Sequence, residues 1–182
     1  MDTDIDYSLP LRSLAIGSHT FDFGLSKEFF EKMESADVRD GDVRASVTVA
    51  YDGDIYEIDM HCVGAVTIPC DRCLEDMQES IDATYHIAAR YGEKFDDEDD
   101  SMIELPRSDS HLDIGRMLYD TVMLDIPIQH THKEGGCDGV MSDILSRHCV
   151  VEGGTEPESG SEGAEAHEDP RWAALKNFKT EE

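Results

Sequence analysis

The chain has 182 residues, 39% of them hydrophobic, which is enough for one ordinary domain with tails and a modest core. Forty-two acidic residues against fifteen basic ones leave a formal net charge of -27, a field that repels phosphate and attracts cations and basic proteins, so nucleic-acid binding by the surface as a whole is disfavoured. No apolar run is long enough for a membrane span, the start Met1 to Asp6 lacks the basic and apolar regions of a signal peptide, and five scattered cysteines do not make a secreted disulfide framework, so a soluble cytoplasmic protein with reduced thiols is expected.

From Tyr7 to Leu25 short apolar runs are punctuated by Pro10, Gly17 and Gly24, which predicts two short strands joined by a turn. Ser26 reads as an N-cap for a short amphipathic helix that places Phe29, Phe30 and Met33 on one side. Val43, Ala45, Val47, Val49 and Tyr51 then alternate with more polar residues, the period of a half-buried strand. Asp52-Gly53-Asp54 turns the chain into a return strand, Ile55 to Ile68. It keeps Tyr56, Ile58, Met60 and Cys62 on one face and predicts a change of phase, a bulge or bend, near Val63 and Gly64. A third strand carries Ile81, Ala83, Tyr85, Ile87, Ala89 and Tyr91 in alternation, completing a meander. His61 and His86 fall in these strands and are expected on the sheet surface.

Glu93 to Asp100 is nearly all acid and predicts a mobile loop, since adjacent carboxylates repel and bury little. A short strand at Ile103 to Leu105 follows. Asp113 is then placed to cap a helix with Ile114, Met117, Leu118, Thr121 and Val122 on one face, stopped by Pro127. The fold class expected is α+β: an antiparallel meander sheet with packed helices over 1–150, followed by a disordered acidic extension. Within that extension, 151–169 is rich in Gly, Ser and Glu, too poor in large apolar residues to offset its ordering entropy. The last segment, 170–182, predicts a short amphipathic helix after Asp169-Pro170, with Trp172, Leu175 and Phe178 as anchors that either fold back on the domain or bind a partner.

The chemistry-bearing feature is Cys70-Asp71-Arg72-Cys73 in the second turn of the meander. Two thiols separated by two residues can meet one tetrahedral ion or form a redox disulfide. Completing a zinc site requires donors from far downstream: Cys137 and one of His132, His130 or Cys149. Thioredoxin-like chemistry is disfavoured because a strand, not a helix, follows the pair, and because Asp71 and Glu75 would be expected to raise a neighbouring thiol pKa. There is no GxSxG, HExxH or phosphate-binding glycine loop, and the DGD and DxD runs lack EF-hand spacing. A non-enzymatic protein is therefore expected. A thiol- or metal-centred enzyme using Cys70 and Cys73, or an adaptor recruiting a partner through the Trp172 tail, is the alternative.

The order of the strand meander, Cys70-Asp71-Arg72-Cys73-Leu74, acidic segment, Asp113-led helix ending Leu124-Asp125-Ile126-Pro127, His and Cys segment, and terminal Asp169-Pro170-Arg171-Trp172-Ala173-Ala174-Leu175 resembles the YceD family over nearly the whole chain. The resemblance implies a role in accumulation of large-subunit (23S) ribosomal RNA, with a ribosomal protein or an assembly intermediate of the ribosome as partner, no membrane and no small-molecule substrate. Direct RNA contact is left open at this level. Many members carry a cysteine pair in the later segment, where this chain departs from the pattern with Cys137 followed by Asp138-Gly139-Val140-Met141. His130 or His132 would then substitute as a ligand, or the first pair would stand without metal.

Overall fold

Alternation of apolar and polar residues, sustained over three long segments, dictates the centre of the molecule. The structure, a computed structural model, describes residues 7–93, 95–99 and 101–148. In chain order the elements are β1 (Ser8–Leu9), a 3-10 turn (Leu11–Ser13), β2 (Gly17–Ser26), α1 (Lys27–Lys32), β3 (Asp40–Tyr51), β4 (Ile55–Pro69), β5 (Asp76–Gly92), β6 (Asp96–Asp99), β7 (Met102–Pro106), β8 (Leu112–Asp113), α2 (Gly115–Asp125) and α3 (Gly139–His148). Six strands form one sheet in the order β2-β3-β4-β5-β7-β6, and β1 and β8 pair separately. The class is α+β, as expected.

β2 to β5 are the antiparallel meander. The region from Tyr7 to Leu25 is not two short strands but a two-residue β1 and a ten-residue β2 that runs through Gly24, because its partner β3 offers a continuous ladder from Gly17↔Tyr51 to Ser26↔Asp42. The sheet is mixed rather than wholly antiparallel: β7 lies parallel to β5, and β6 lies antiparallel to β7. The segment predicted as an acidic loop thus contributes an edge strand. β7 buries Ile103 and Leu105 next to the core, and β6 takes the edge position of the sheet.

No phase change occurs at Val63 and Gly64. Pairing of β4 with β3 and β5 continues without interruption through Val43↔Gly64↔Ile81, so Tyr56, Ile58, Met60, Cys62, Val66 and Ile68 all bury on one face. Gly64 interrupts the apolar pattern in the sequence because a side chain has no room there: a Cβ would stand 2.2 Å from the Asp42 carbonyl oxygen and 2.6 Å from the Val43 Cα.

The inward face of the sheet is covered by α1, through Phe29 and Phe30, and by α2, through Ile114 at its start, Leu118 and Val122, all buried. Each fully buried aliphatic side chain of this kind contributes about 1.5–3 kcal/mol relative to exposure. The opposite face, with Arg44, Glu57, Asp59, His61, Asp82 and His86, is exposed. There His61 bonds Asp82 at 2.7 Å and His86 bonds Asp59 at 2.8 Å, cross-strand pairs of the polar surface. Ser26 precedes α1 but makes no side-chain cap, its hydroxyl turning to the Glu28 carboxylate. The N-cap position of α2 is Ile114, not Asp113; Asp113, one residue earlier, accepts the Gly115 N–H at 2.8 Å at the mouth of the helix, which ends at Asp125, two residues before Pro127.

The last described element, α3, has no counterpart among the helices expected from the sequence. Asp138 starts it by accepting the Met141 N–H at 2.9 Å through its carboxylate and the Ser142 N–H at 3.0 Å through its carbonyl, and the helix buries no residue. Among the described residues no helix is long and apolar enough to cross a membrane. The chain divides into the units Met1–Arg147 and His148–Glu182. Cys149, the predicted linker 151–169 and the predicted helix 170–182, with Trp172, Leu175 and Phe178, lie outside the described residues.

Candidate metal centre

The turn between β4 and β5 is closed by backbone bonds from Cys70 N–H to the Glu75 carbonyl and from Leu74 N–H to the Cys70 carbonyl, each 2.9 Å. This curls Cys70 and Cys73 toward one point, and both are buried. The downstream donors reach that point along the edge that β7 leaves free on β5. The Asp125 carboxylate, at the end of α2, accepts the Asp82 N–H at 3.0 Å, and seven residues later His132 meets the Asp76 carbonyl at 3.3 Å. Between these anchors the chain follows the strand in the opposite direction. The free edge of β5 therefore guides the second half of the site to the first.

Cys70, Cys73, His132 and Cys137 come together with their donor atoms within 4.8 Å of one another, the one such group among the described residues. Cys70 Sγ lies 3.9 Å from Cys137 Sγ, and Cys73 Sγ lies 3.3 Å from His132 Nδ1. A tetrahedral zinc with ordinary bond lengths spaces two sulfurs by about 3.8 Å and a sulfur and a nitrogen by about 3.6 Å, so these two spacings lie close to those such an ion needs. The orientation of the His132 ring suits ligation, because Nε2 donates to the Asp76 carbonyl and leaves Nδ1 free to face the sulfurs.

The electrostatics agree with thiolate chemistry. Burial opposes ionisation of Cys70, but N–H groups of Cys73, His132 and Arg72 and a bond with the Cys73 side chain outweigh it and bring the thiol down to about 6. The amides of Arg72 and His132 each stand 3.4 Å from its sulfur. The expectation that Asp71 and Glu75 would raise this thiol is therefore corrected: inward-pointing amides act at contact distance on the sulfur. Hydrogen bonds to Cys70 and Cys73 raise the pKa of His132. Burial, then bonds to the same two cysteines, push the Cys137 thiol up, so Cys70 holds the negative charge first. Cys62 belongs to the sheet core, where burial pushes its thiol up to about 11.

His130, a candidate ligand by spacing, does not join the four donors. It forms a clasp with Asp71 instead: the Asp71 carboxylate accepts the His130 N–H at 2.8 Å and contacts Nε2 at 3.3 Å, while the Asp71 N–H donates to the His130 carbonyl at 2.9 Å. That clasp ties the cysteine turn to the segment carrying His132. It had no signal in the sequence, because an aspartate inside CxxC reads as an ordinary turn residue.

Fold and site define an open-faced α+β protein with a cluster of three thiols and one imidazole at a sheet turn. The chain belongs to the family described as large ribosomal RNA subunit accumulation protein YceD, whose model matches residues 58–179, a span that takes in all four donors. No curated protein and no solved structure matches the chain.

Proposed function

We propose that this chain is a non-enzymatic, cytoplasmic factor that supports accumulation of large-subunit ribosomal RNA, acting through protein partners, with zinc held by Cys70, Cys73, His132 and Cys137 as a structural clasp. The family match over residues 58–179 carries the biological part of this reading. The donor count supports the non-enzymatic part. Four protein ligands close a tetrahedral site, whereas catalytic zinc keeps a position for water or substrate. Bound zinc would supply Lewis-acid cross-linking of two segments some sixty residues apart, while Asp71, His130 and the Asp76 carbonyl orient the donors.

The net charge of -27 favours contact with basic proteins over contact with RNA. In this reading the factor engages a basic component of the assembling large subunit and keeps it from premature RNA contact. Depletion should lower 23S ribosomal RNA and deplete large-subunit particles in sedimentation profiles. Normal levels and profiles on depletion would remove the role. Metal analysis of protein purified without chelator should give about one zinc per chain. The Cys70→Ser variant separates the clasp from a catalytic thiol: a clasp loses folding stability, whereas an enzyme loses turnover with the fold intact.

A further inference from the structure

Three of the four donors at the metal centre are thiols, and they differ in how solvent reaches them. Cys70 and Cys73 are buried, whereas Cys137 is only half-buried. The chain is open on both sides of Cys137: a Cβ added at Gly135 or at Gly139 would meet nothing within 4 Å. A small oxidant in solution therefore meets Cys137 first. Cys62, the other described cysteine, is sealed in the sheet core.

Cys137 also has a second sulfur within reach. Its Sγ stands 3.9 Å from Cys70 Sγ, and a disulfide of about 2.0 Å requires roughly 1.9 Å of approach. Cys73 is engaged elsewhere, with His132 Nδ1 3.3 Å from its sulfur. The two ends of the approach are unequally held. Cys70 is fixed in the sheet turn by its backbone bonds with Glu75 and Leu74, each 2.9 Å. The bonds that flank Cys137, from Gly136 N–H to the Lys133 carbonyl at 2.8 Å and from Met141 and Ser142 N–H to Asp138, stay within its own segment, and α3 beyond it buries no residue. That segment can shift toward the turn without emptying any part of the core. The Asp71–His130 clasp meanwhile ties the downstream segment to the turn through protein atoms alone.

We infer that Cys137 and Cys70 form a reversible oxidation site for hydroperoxides, in which Cys137 takes the oxidant and Cys70 resolves it as a disulfide. The Cys137 sulfur takes one oxygen atom of hydrogen peroxide and becomes a sulfenic acid, while the other oxygen leaves as water. The Cys70 sulfur then attacks the Cys137 sulfur. The S–S bond forms, the S–O bond breaks, and the departing oxygen takes up a proton and leaves as a second water. In sum, two zinc-bound thiolates, one peroxide and two protons give one disulfide and two waters, with two electrons passing from sulfur to oxygen. Zinc is neither oxidised nor reduced. It loses two of its four donors and departs, and a covalent link between the turn and the downstream segment takes its place. The metal release rests on the zinc clasp proposed above, whereas the disulfide rests on the sulfur geometry alone.

The test titrates the full chain, purified without chelator, with hydrogen peroxide. Zinc release is followed with a chromogenic chelator, and the sulfurs are mapped by mass spectrometry of unreduced peptides. A Cys70–Cys137 disulfide should form with loss of the bound zinc, and dithiothreitol with added zinc should reverse both. In Cys70→Ser the resolving sulfur is gone, so a dimedone-type reagent should trap a sulfenic acid at Cys137 that the unsubstituted chain does not accumulate. Cys62→Ser should behave as the unsubstituted chain. A disulfide between Cys70 and Cys73, one through Cys62 or Cys149, a trapped sulfenic acid at Cys73 in place of Cys137, sulfinic acid with no disulfide, or thiols left intact would overturn the assignment. The zinc clasp fails separately: a chain that holds no zinc before peroxide is added removes the clasp, and the disulfide map still decides the oxidation site.

Discussion

In the meander of β3, β4 and β5 the inward residues from Val43 to Ala89 are almost all withdrawn from water, whereas around the turn at its end, and in the stretch from Ile128 to His148 that meets it, Leu74, Ile128, Val140 and Ile144 stay exposed. The two regions share Pro69 and Asp76 as boundaries, yet they are held by opposite means. Burial of alternating side chains carries the first, with a ladder that runs unbroken from Ile55↔Arg90 to Pro69↔Asp76. The second is carried by sulfur and imidazole converging on one point, by the Asp71–His130 clasp and by two anchors on the β5 edge. A region with few apolar contacts to hold it is the one where a bound metal would contribute most.

The sharpest way to break this contrast is to remove the zinc proposed at the four donors. Apparent zinc-binding energies of structural sites reach about 10–16 kcal/mol in small peptides, so chelation should produce the largest effect, and it should be local. Hydrogen exchange is expected to rise steeply over 70–75 and 128–148 while β3 to β5 stay protected. Uniform loss of protection would mean that the two regions are one cooperative unit.

In the metal-free protein the site should add a pH dependence that the sheet lacks. The Cys70 thiol is depressed to about 6 in the fold, below its ordinary value near 8.5. The unfolded chain therefore binds the proton more tightly, and stability from this group is complete above the unfolded value, declining as pH falls toward and through about 6. His132, raised by the same sulfurs, contributes in the opposite sense: its share is complete below the unfolded imidazole value and is lost as pH rises through the folded one. Denaturation of the metal-free protein across the range from about 6 to about 8.5 reads the two opposed trends together, and Cys70→Ser should remove the first of them.

Two substitutions in the sheet region should act the other way, on stability and not on metal. Leu118→Ala, which empties a fully buried position between α2 and the sheet, is expected to cost about 2–5 kcal/mol in chemical denaturation. Gly64→Ala places a methyl against the Asp42 carbonyl and should cost about 1–3 kcal/mol, the range of an overpacked site. Both variants should keep zinc stoichiometry. Loss of zinc from Gly64→Ala at a temperature where it is folded would show that the sheet transmits strain to the turn.

Most of the meander is legible in the sequence because its side-chain period is local: Val43 to Tyr51, Tyr56 to Cys62 and Ile81 to Tyr91 announce their faces within a few residues. The region of Gly64 misleads because the same pattern, an apolar series interrupted by glycine, describes both a bulge and a strand approached closely by its neighbour. Asp96 to Asp99 reads as loop because propensity and repulsion do not register that β7 supplies a partner. At the site, the cysteine pair and Cys137 stand out by residue type. The choice among the candidate imidazoles does not, since His130 and His132 sit on the same extended segment with the same spacing rule satisfied.

The sequence by itself determined the α+β class, the inward faces of the three long strands, the α2 face led by Ile114 and Leu118, and the acidity. These are properties of composition and of periods spanning two to four residues, which short-range stereochemistry imposes. Only the tertiary structure decided that β7 enters parallel beside β5 and that His132 and not His130 meets the three sulfurs. Each of those depends on contacts between residues far apart in the chain. Such contacts follow from which free edge and which buried face remain after the local elements have formed, and no local period records them.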